Sequence, residues 1–191
     1  MIKIALTGKM RSGKDTLKEY AINKYGVVPF AFGDELKEAF HEDYAHIPHK
    51  PKPRKGYQLY GQLMRFVHGE DIWVDKCFRH IRVIKQTAID YNTAGGEVKF
   101  TPMITDVRQQ NELDRCKQED YIIIRVNCLP DVQLERLNET GDNFTIEDLA
   151  FETETSIDDL KVDYDIHNNG TLEELYSQLD EIVEKERKRL L

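Results

Sequence analysis

At 191 residues, with 40% hydrophobic and 32% charged side chains, the chain is long enough to bury a sizeable core, and no apolar stretch reaches the roughly 20 residues of a membrane span; one cytoplasmic domain without membrane contact is expected. The formal charge of −8, from 27 Lys and Arg against 35 Asp and Glu, argues against a nucleic-acid polymer as main partner, since that affinity rests on many cationic contacts with phosphates. A small anionic substrate needs only a few cations aimed into one cleft, which an acidic protein can supply.

In chain order, Ile2–Thr7 reads as a buried strand, too short and too soon followed by charge to be a signal peptide. Helical spacing follows over Lys14–Tyr25, then strand over Val27–Phe32, and helices over Asp34–Tyr44, Gln58–Val67 and Ile72–Tyr91. His46–Gly56, basic and broken by prolines, reads either as a solvated loop or as a substrate clamp. Asn92–Glu97 reads as a connecting turn. Phe100–Asp106 and Tyr121–Asn127 are strands, separated by a helix over Arg108–Lys117; Asp131–Asn138 is helical, and Thr140–Ser156 is acidic and weakly patterned. A strand at Tyr164–Asn168 precedes a helix over Thr171–Leu190, whose apolar stripe opens on a Thr171/Glu174 capping box. Alternating strands and helices predict an α/β fold of three layers: one doubly wound, five-stranded parallel sheet with helices on both faces.

The residues that direct the function follow the first strand. Gly8-Lys9-Met10-Arg11-Ser12-Gly13-Lys14-Asp15-Thr16 has the spacing of a phosphate-cradling P-loop. A polyphosphate is wrapped by several backbone N–H groups at once, which requires glycines for close approach and a helix N-terminus behind them. Lys14 supplies a point charge for the β and γ phosphates. The hydroxyl residue that ordinarily ligates Mg²⁺ after the lysine is replaced by Asp15, with Thr16 next, so an altered or water-mediated metal site is expected.

A second set of charges separates transfer from mere binding. Asp106 ends the third strand run and is the expected metal-side acid, its alternative role being an N-cap for the helix that follows. Arg108, two residues on, is placed to grip a phosphate; Arg65 lies on a helix after the basic loop, and Arg11 projects from the P-loop itself. Phosphoryl transfer is mostly positioning and charge neutralisation, so no nucleophile or His base is required, and the six scattered histidines suggest none. Cys77, Cys116 and Cys128 are odd in number and lack C-x-x-C spacing, as expected of reduced structural thiols.

With these residues in hand, the chain resembles the deoxynucleoside monophosphate kinase family of phages and bacteria, among the nucleotide-kinase-like P-loop proteins. The resemblance is carried by Lys9–Thr16, in which Asp after the lysine is a family habit, by Phe30–Lys37, by Gly61–Arg65 followed by Asp71–Val74, by Thr105–Glu112 and by Asp165–Leu172. It implies ATP as co-substrate with Mg²⁺, bound on Gly8–Thr16, and transfer to a deoxynucleoside 5′-monophosphate. Asp34 and Lys37 would lie in the acceptor region, within a helical section spanning 33–98, and Arg65 and Arg108 would bind the acceptor phosphate with Asp106 nearby. Trp73 would line the acceptor pocket, or serve as core or hydrophobic staple. Lys14, Arg11 and Arg108 would form the catalytic cluster, with Asp15, Thr16 and Asp106 on the metal side. A lid-like section at about 130–156 would place Arg136 over the ATP phosphates. The animal-type phosphomevalonate kinases share a similar Ser-Gly-Lys-Asp loop, so a small-molecule phosphokinase of that kind is the alternative, and a nucleotide-binding module without transferase activity is a third reading. The base preferred and the oligomeric state are not set by the sequence; a homodimer stays open.

Overall fold

The computed structural model describes residues 2–139 and 156–190. Strand β1 (Lys3–Thr7) leads through the P-loop into α1 (Lys14–Tyr25), and β2 (Val28–Phe30) follows. Three helices come next: α2 (Phe32–Asp43), α3 (Arg54–His68) and α4 (Ile72–Thr93). The chain then alternates through β3 (Pro102–Val107), α5 (Gln110–Gln118), β4 (Tyr121–Asn127), α6 (Pro130–Glu139), a 3₁₀ turn at Ser156–Asp159, β5 (Tyr164–His167) and α7 (Leu172–Arg189). It forms two compact units, Phe30–Lys99 in one and the flanking segments in the other.

The flanking segments build the expected five-stranded sheet, in the order β2-β3-β1-β4-β5, with β1 parallel to β3 and β4, and β4 parallel to β5. Leaving β1, the chain crosses to the β2 edge; leaving β3, it crosses the other way to β4. The connections therefore diverge between β1 and β3, and in parallel α/β sheets ligands bind in the crevice outside such a switch point. The central strands are apolar nearly throughout because both faces are covered: Ile4, Leu6, Met103, Ile124, Val126 and Ile166 pack with Leu17 of α1 and with Leu175, Leu179, Ile182 and Val183 of α7.

A polar cluster fastens α1 to α7. Asp180 accepts hydrogen bonds from Tyr20 (2.8 Å), Tyr25 (2.5 Å) and Lys24 (2.6 Å). Desolvation works against its charge, but these three donors outweigh it and hold the carboxyl below its ordinary value. A depressed carboxyl contributes stability that is present above its unfolded value near 3.8 and is lost as pH falls through the folded one. Asp180→Ala is expected to cost about 1–3 kcal/mol at neutral pH, a Tm drop of several degrees, by leaving two tyrosine hydroxyls without their acceptor. Thermal melts should show the difference from the parent chain shrinking as the pH is taken down through that range.

The Phe30–Lys99 unit is helical, and its core is aromatic: Phe40, Tyr60 and Trp73, with Leu36, Tyr57 and Met64 against them. Tyr60 donates to Asp43 at 2.5 Å, and burial together with that carboxylate pushes its hydroxyl up to about 12.

Several boundaries differ from the sequence reading. The second strand is only three residues long, because Phe32-Gly33 enters α2 ahead of Asp34 and Glu35, which complement the helix N-terminus. Helix α3 begins at Arg54, inside the stretch read as loop, and α4 continues through Thr93 into the stretch read as turn. Of the lid-like section, residues 140–155 lie outside the described residues. Among the described residues, no helix is long and apolar enough to cross a membrane.

Candidate functional site

The turn after β1 takes backbone conformations that only particular residues tolerate. Gly8, Arg11 and Gly13 have φ of 143°, 62° and 112°, three positive-φ residues within six positions, a tightly wound turn of the kind whose backbone N–H groups form an anion nest. Gly8 also has no room for a side chain, since a Cβ would run into the Val126 carbonyl oxygen and lie 2.8 Å from Ser12 Oγ. A Cβ on Gly13 would meet the Asn168 side-chain amide. Helix α1 starts directly behind the nest, adding its partial positive charge.

Lys14 opens α1 and turns back onto the loop, donating to the carbonyls of Gly8 (2.5 Å) and Lys9 (2.9 Å). Its ammonium lies 3.9 Å from Asp106 Oδ1. Burial pushes the Lys14 pKa below its ordinary value, opposed by the charge of Asp106 and reinforced by that of Arg108. A phosphate bound in the nest would favour the charged form, so nucleotide binding should take up a proton where Lys14 is neutral. Nucleotide affinity is therefore expected to fall with rising pH from below 10.5, with the Lys14→Met variant flat over the same range; calorimetry in buffers of different ionisation enthalpy reads both the affinity and the proton uptake.

Asp106 reaches this position through a bulge. Ala5 pairs with Ile104 and Thr7 with Val107, so β3 carries two residues, Thr105 and Asp106, where β1 carries one. Such an extra residue bends a strand and re-aims its side chains, and buried Thr7 closes the bulge by donating to the Val107 carbonyl at 2.6 Å. Arg108 Nε donates to Asp106 Oδ2 at 2.8 Å, which puts Asp106 between two cations. The N-cap alternative for Asp106 is corrected: it lies within β3, and the cap of α5 is Gln109. Buried Glu112 instead receives the N–H groups of Arg108 (2.7 Å) and Gln109 (3.1 Å).

These residues can accommodate Mg²⁺. Asp106 Oδ1 is buried and has no hydrogen-bond partner, and Mg²⁺ bound with a nucleotide typically takes one or two carboxylates, its remaining positions going to phosphates and water. Asp106 would hold it, where it would neutralise charge on the phosphate oxygens. Asp15 is placed differently: its side chain is 89% exposed and ion-paired with Lys18 at 2.9 Å. Thr16 is half-buried on the same turn.

Three residues that were given no role in the sequence reading hold the loop from outside. Asn168, buried just past β5, donates to the Ser12 carbonyl at 2.9 Å. Gln133 of α6 donates to the Met10 carbonyl at 2.7 Å, and Asp158 pairs with Lys9 at 2.6 Å. Arg136, also of α6, reaches the Arg11 carbonyl (3.5 Å) and both oxygens of Asn168 (3.3 and 3.4 Å), so it does lie against the P-loop. Cys128 follows β4 as a half-buried thiol, its pKa raised by burial; Cys77 and Cys116 are buried.

In the helical unit, Lys37 and Asp34 are exposed and pair with each other at 2.6 Å. Arg65 is half-buried, its guanidinium running over Gly61, where an added Cβ would lie 3.8 Å from it. Of the alternatives for Trp73, the structure favours the core: the indole is 1% exposed, donates to the Gly61 carbonyl at 3.3 Å, and presents no surface to a ligand.

No protein-family model matches the chain, and no curated protein matches it in sequence. Solved structures do. Shikimate kinase from Bacteroides thetaiotaomicron superposes with a TM-score of 0.53 at 15% identity, over 96% of this chain and 98% of that one. Shikimate kinase from Aquifex aeolicus gives 0.52 at 14%, over 97% and 98%, and a gluconokinase from Sinorhizobium meliloti 1021 gives 0.50 at 14%, over 98% and 97%. Likeness at this level of identity establishes architecture, and the chain accordingly has the fold of the P-loop kinases, a five-stranded parallel sheet with helices on both faces.

Proposed function

We propose that the protein is an ATP-dependent small-molecule phosphokinase. One observation carries this reading: an anion nest with Lys14 folded into it stands at the β1–β3 switch point, facing an Asp106–Arg108 pair that a bulge aims toward it. In the proposed reaction an acceptor oxygen bonds to the γ-phosphorus of ATP as the bond to the ADP β-phosphate oxygen breaks. The chain contributes charge and position: the loop amides and Lys14 hold the donor phosphates, Arg11 bridges donor and acceptor, and Arg108 meets the acceptor phosphate. Arg136 steadies the loop over the donor. Asp106 would hold Mg²⁺, with Asp15 and Thr16 reaching it through water, and the metal would supply neutralisation of charge on the phosphate oxygens.

For the acceptor, we propose a deoxynucleoside 5′-monophosphate, converted to its diphosphate. Support comes from the motifs around Asp34, Lys37, Arg65 and Arg108, with the helical section 33–98 as the acceptor-binding part and 130–156 as the lid. A second reading keeps the phosphokinase and changes the acceptor to a non-nucleotide small molecule of the phosphomevalonate kind. It is favoured by the fold likeness to enzymes named as shikimate kinase and gluconokinase, and of the two it is the less demanding.

A coupled ADP-release assay with dGMP, dTMP, dCMP, dAMP, phosphomevalonate, shikimate and gluconate in parallel separates the readings. Stimulation by one or more deoxynucleotides supports the first acceptor; stimulation only by a non-nucleotide supports the second. ATP binding without stimulation by any acceptor would leave a nucleotide-binding module and remove the transferase.

A further inference from the structure

Every carbonyl of the turn from Gly8 to Gly13 accepts a hydrogen bond. Lys14 takes those of Gly8 and Lys9, Gln133 that of Met10 (2.7 Å), Arg136 that of Arg11 (3.5 Å), Asn168 that of Ser12 (2.9 Å), and the Leu17 N–H that of Gly13 (3.1 Å). In a planar trans peptide the carbonyl and the next N–H point in opposite directions, so a side chain that fixes one fixes the other. The donors around the turn therefore decide which way its N–H groups face.

The Ser12–Gly13 peptide is held from the protein interior. Asn168 is 4% exposed, and its backbone N–H donates to the Asn127 carbonyl at 2.8 Å, which ties it to the end of β4. Its carboxamide lies between a cation and a carbonyl: Oδ1 accepts from Arg136 at 3.4 Å, while Nδ2 donates to the Ser12 carbonyl. One orientation of the amide suits both neighbours, and it puts the donor end on the loop. Gly13 makes room for that end, since a Cβ there would meet Nδ2. On the opposite side of the same peptide, the Gly13 N–H joins those of the first turn of α1, whose N-cap, being a glycine, offers them no side-chain acceptor.

We propose that Asn168 is a positioning residue for the donor phosphates: by holding the Ser12 carbonyl it presents the Gly13 N–H to them, and it sets the affinity of the nest without touching the ligand. The inference rests on the proposed reading of the loop as a nucleotide site. A buried amide serving only to pack β5 would affect stability when replaced, with no selective effect on phosphate binding.

Inorganic triphosphate, which carries the phosphates without a base, is the probe. Its binding to the full chain is read by calorimetry, and the Gly13 amide is followed by NMR in protein labelled with ¹⁵N-glycine, the signal being assigned by its loss in Gly13→Ala. Asn168→Asp keeps the size of the side chain and its contact with Arg136 but faces Ser12 with an acceptor; Asn168→Leu removes the donor without adding charge. Affinity for triphosphate is expected to fall about tenfold in Asn168→Leu and about 100-fold in Asn168→Asp. The Gly13 proton signal should move downfield on binding in the parent chain and little in either variant, with circular dichroism checking that both remain folded. Folded variants that bind within about twofold of the parent overturn the proposal, as does a Gly13 signal that stays in place when the parent chain is saturated, a result that needs no variant. Absence of binding by the parent chain would remove the nucleotide reading and this inference with it, whereas undiminished binding by the variants removes the inference alone.

Discussion

Replacing Lys14 with Met is expected to reduce phosphoryl transfer by about 10³-fold or more, while the protein melts at the same temperature or higher. The two expectations come from one fact. Lys14 is a buried cation whose pKa is held down mainly by desolvation, so its charge is maintained at a cost that a methionine of similar length does not carry. Asp106 loses one cationic neighbour but keeps Arg108 at 2.8 Å, which limits the penalty of leaving a carboxylate in the crevice. Function and stability thus pull apart at this position, as they do where a site is organised for a ligand's charge. The measurements are ADP release with a responsive acceptor and a thermal melt of both proteins. Turnover within tenfold of the parent would take Lys14 out of the mechanism; a large loss of stability would contradict the desolvation argument.

Gly8→Ala is expected to act in the opposite sense, damaging fold and nucleotide binding together. The residue has a φ of 143°, where an L side chain is strained by about 1–3 kcal/mol. Its Cβ would also press on the Val126 carbonyl oxygen, and overpacking of this kind costs typically about 1–3 kcal/mol more. That obstacle is main chain of the central strand β4, so no rotamer change relieves it. A loss of about 2–6 kcal/mol corresponds to a Tm lower by roughly 5–20 °C for a chain of this size. Gly13→Ala should be milder, because its obstacle is the Asn168 side chain, which can move at the expense of its hydrogen bond to the Ser12 carbonyl. Denaturant melts and nucleotide titration of the two variants check the order: Gly8→Ala worse than Gly13→Ala in both. Equal effects would mean that the loop, rather than β4, yields to the added methyl group.

The contrast between these glycines shows where sequence reading stops. Their spacing before Lys14 marks the P-loop, because an anion nest demands residues without side chains at set intervals, and that is a local demand. What each glycine must avoid is not local. Val126 and Asn168 are more than a hundred residues away, and their nearness to the loop follows from the pairing of β1 with β4 and of β4 with β5. Arg136 shows the same limit. Its sequence context suggested a place over bound phosphates, but its contacts with the Arg11 carbonyl and with Asn168 depend on where α6 lies beside the loop.

Asp106 divides the same way. An apolar run ending in a carboxylate was readable, and so was the alternative of a helix cap. The choice between them was made by the register of β3 on β1, where two residues oppose one and Asp106 remains inside the strand. Trp73 was likewise ambiguous until the aromatic packing of α2, α3 and α4 enclosed it. Helix α3 was longer than its apolar spacing indicated, since Arg54 and Lys55 extend it without adding to the buried face.

Alternating apolar and helical periodicity, with one glycine-rich turn, was sufficient by itself to determine the α/β sheet, its five strands and the loop that follows the first of them, because strand and helix periods and backbone freedom are properties of neighbouring residues. The bulge that aims Asp106 and the amide of Asn168 beneath the loop were decided only by tertiary structure, because each depends on which distant segment lies alongside.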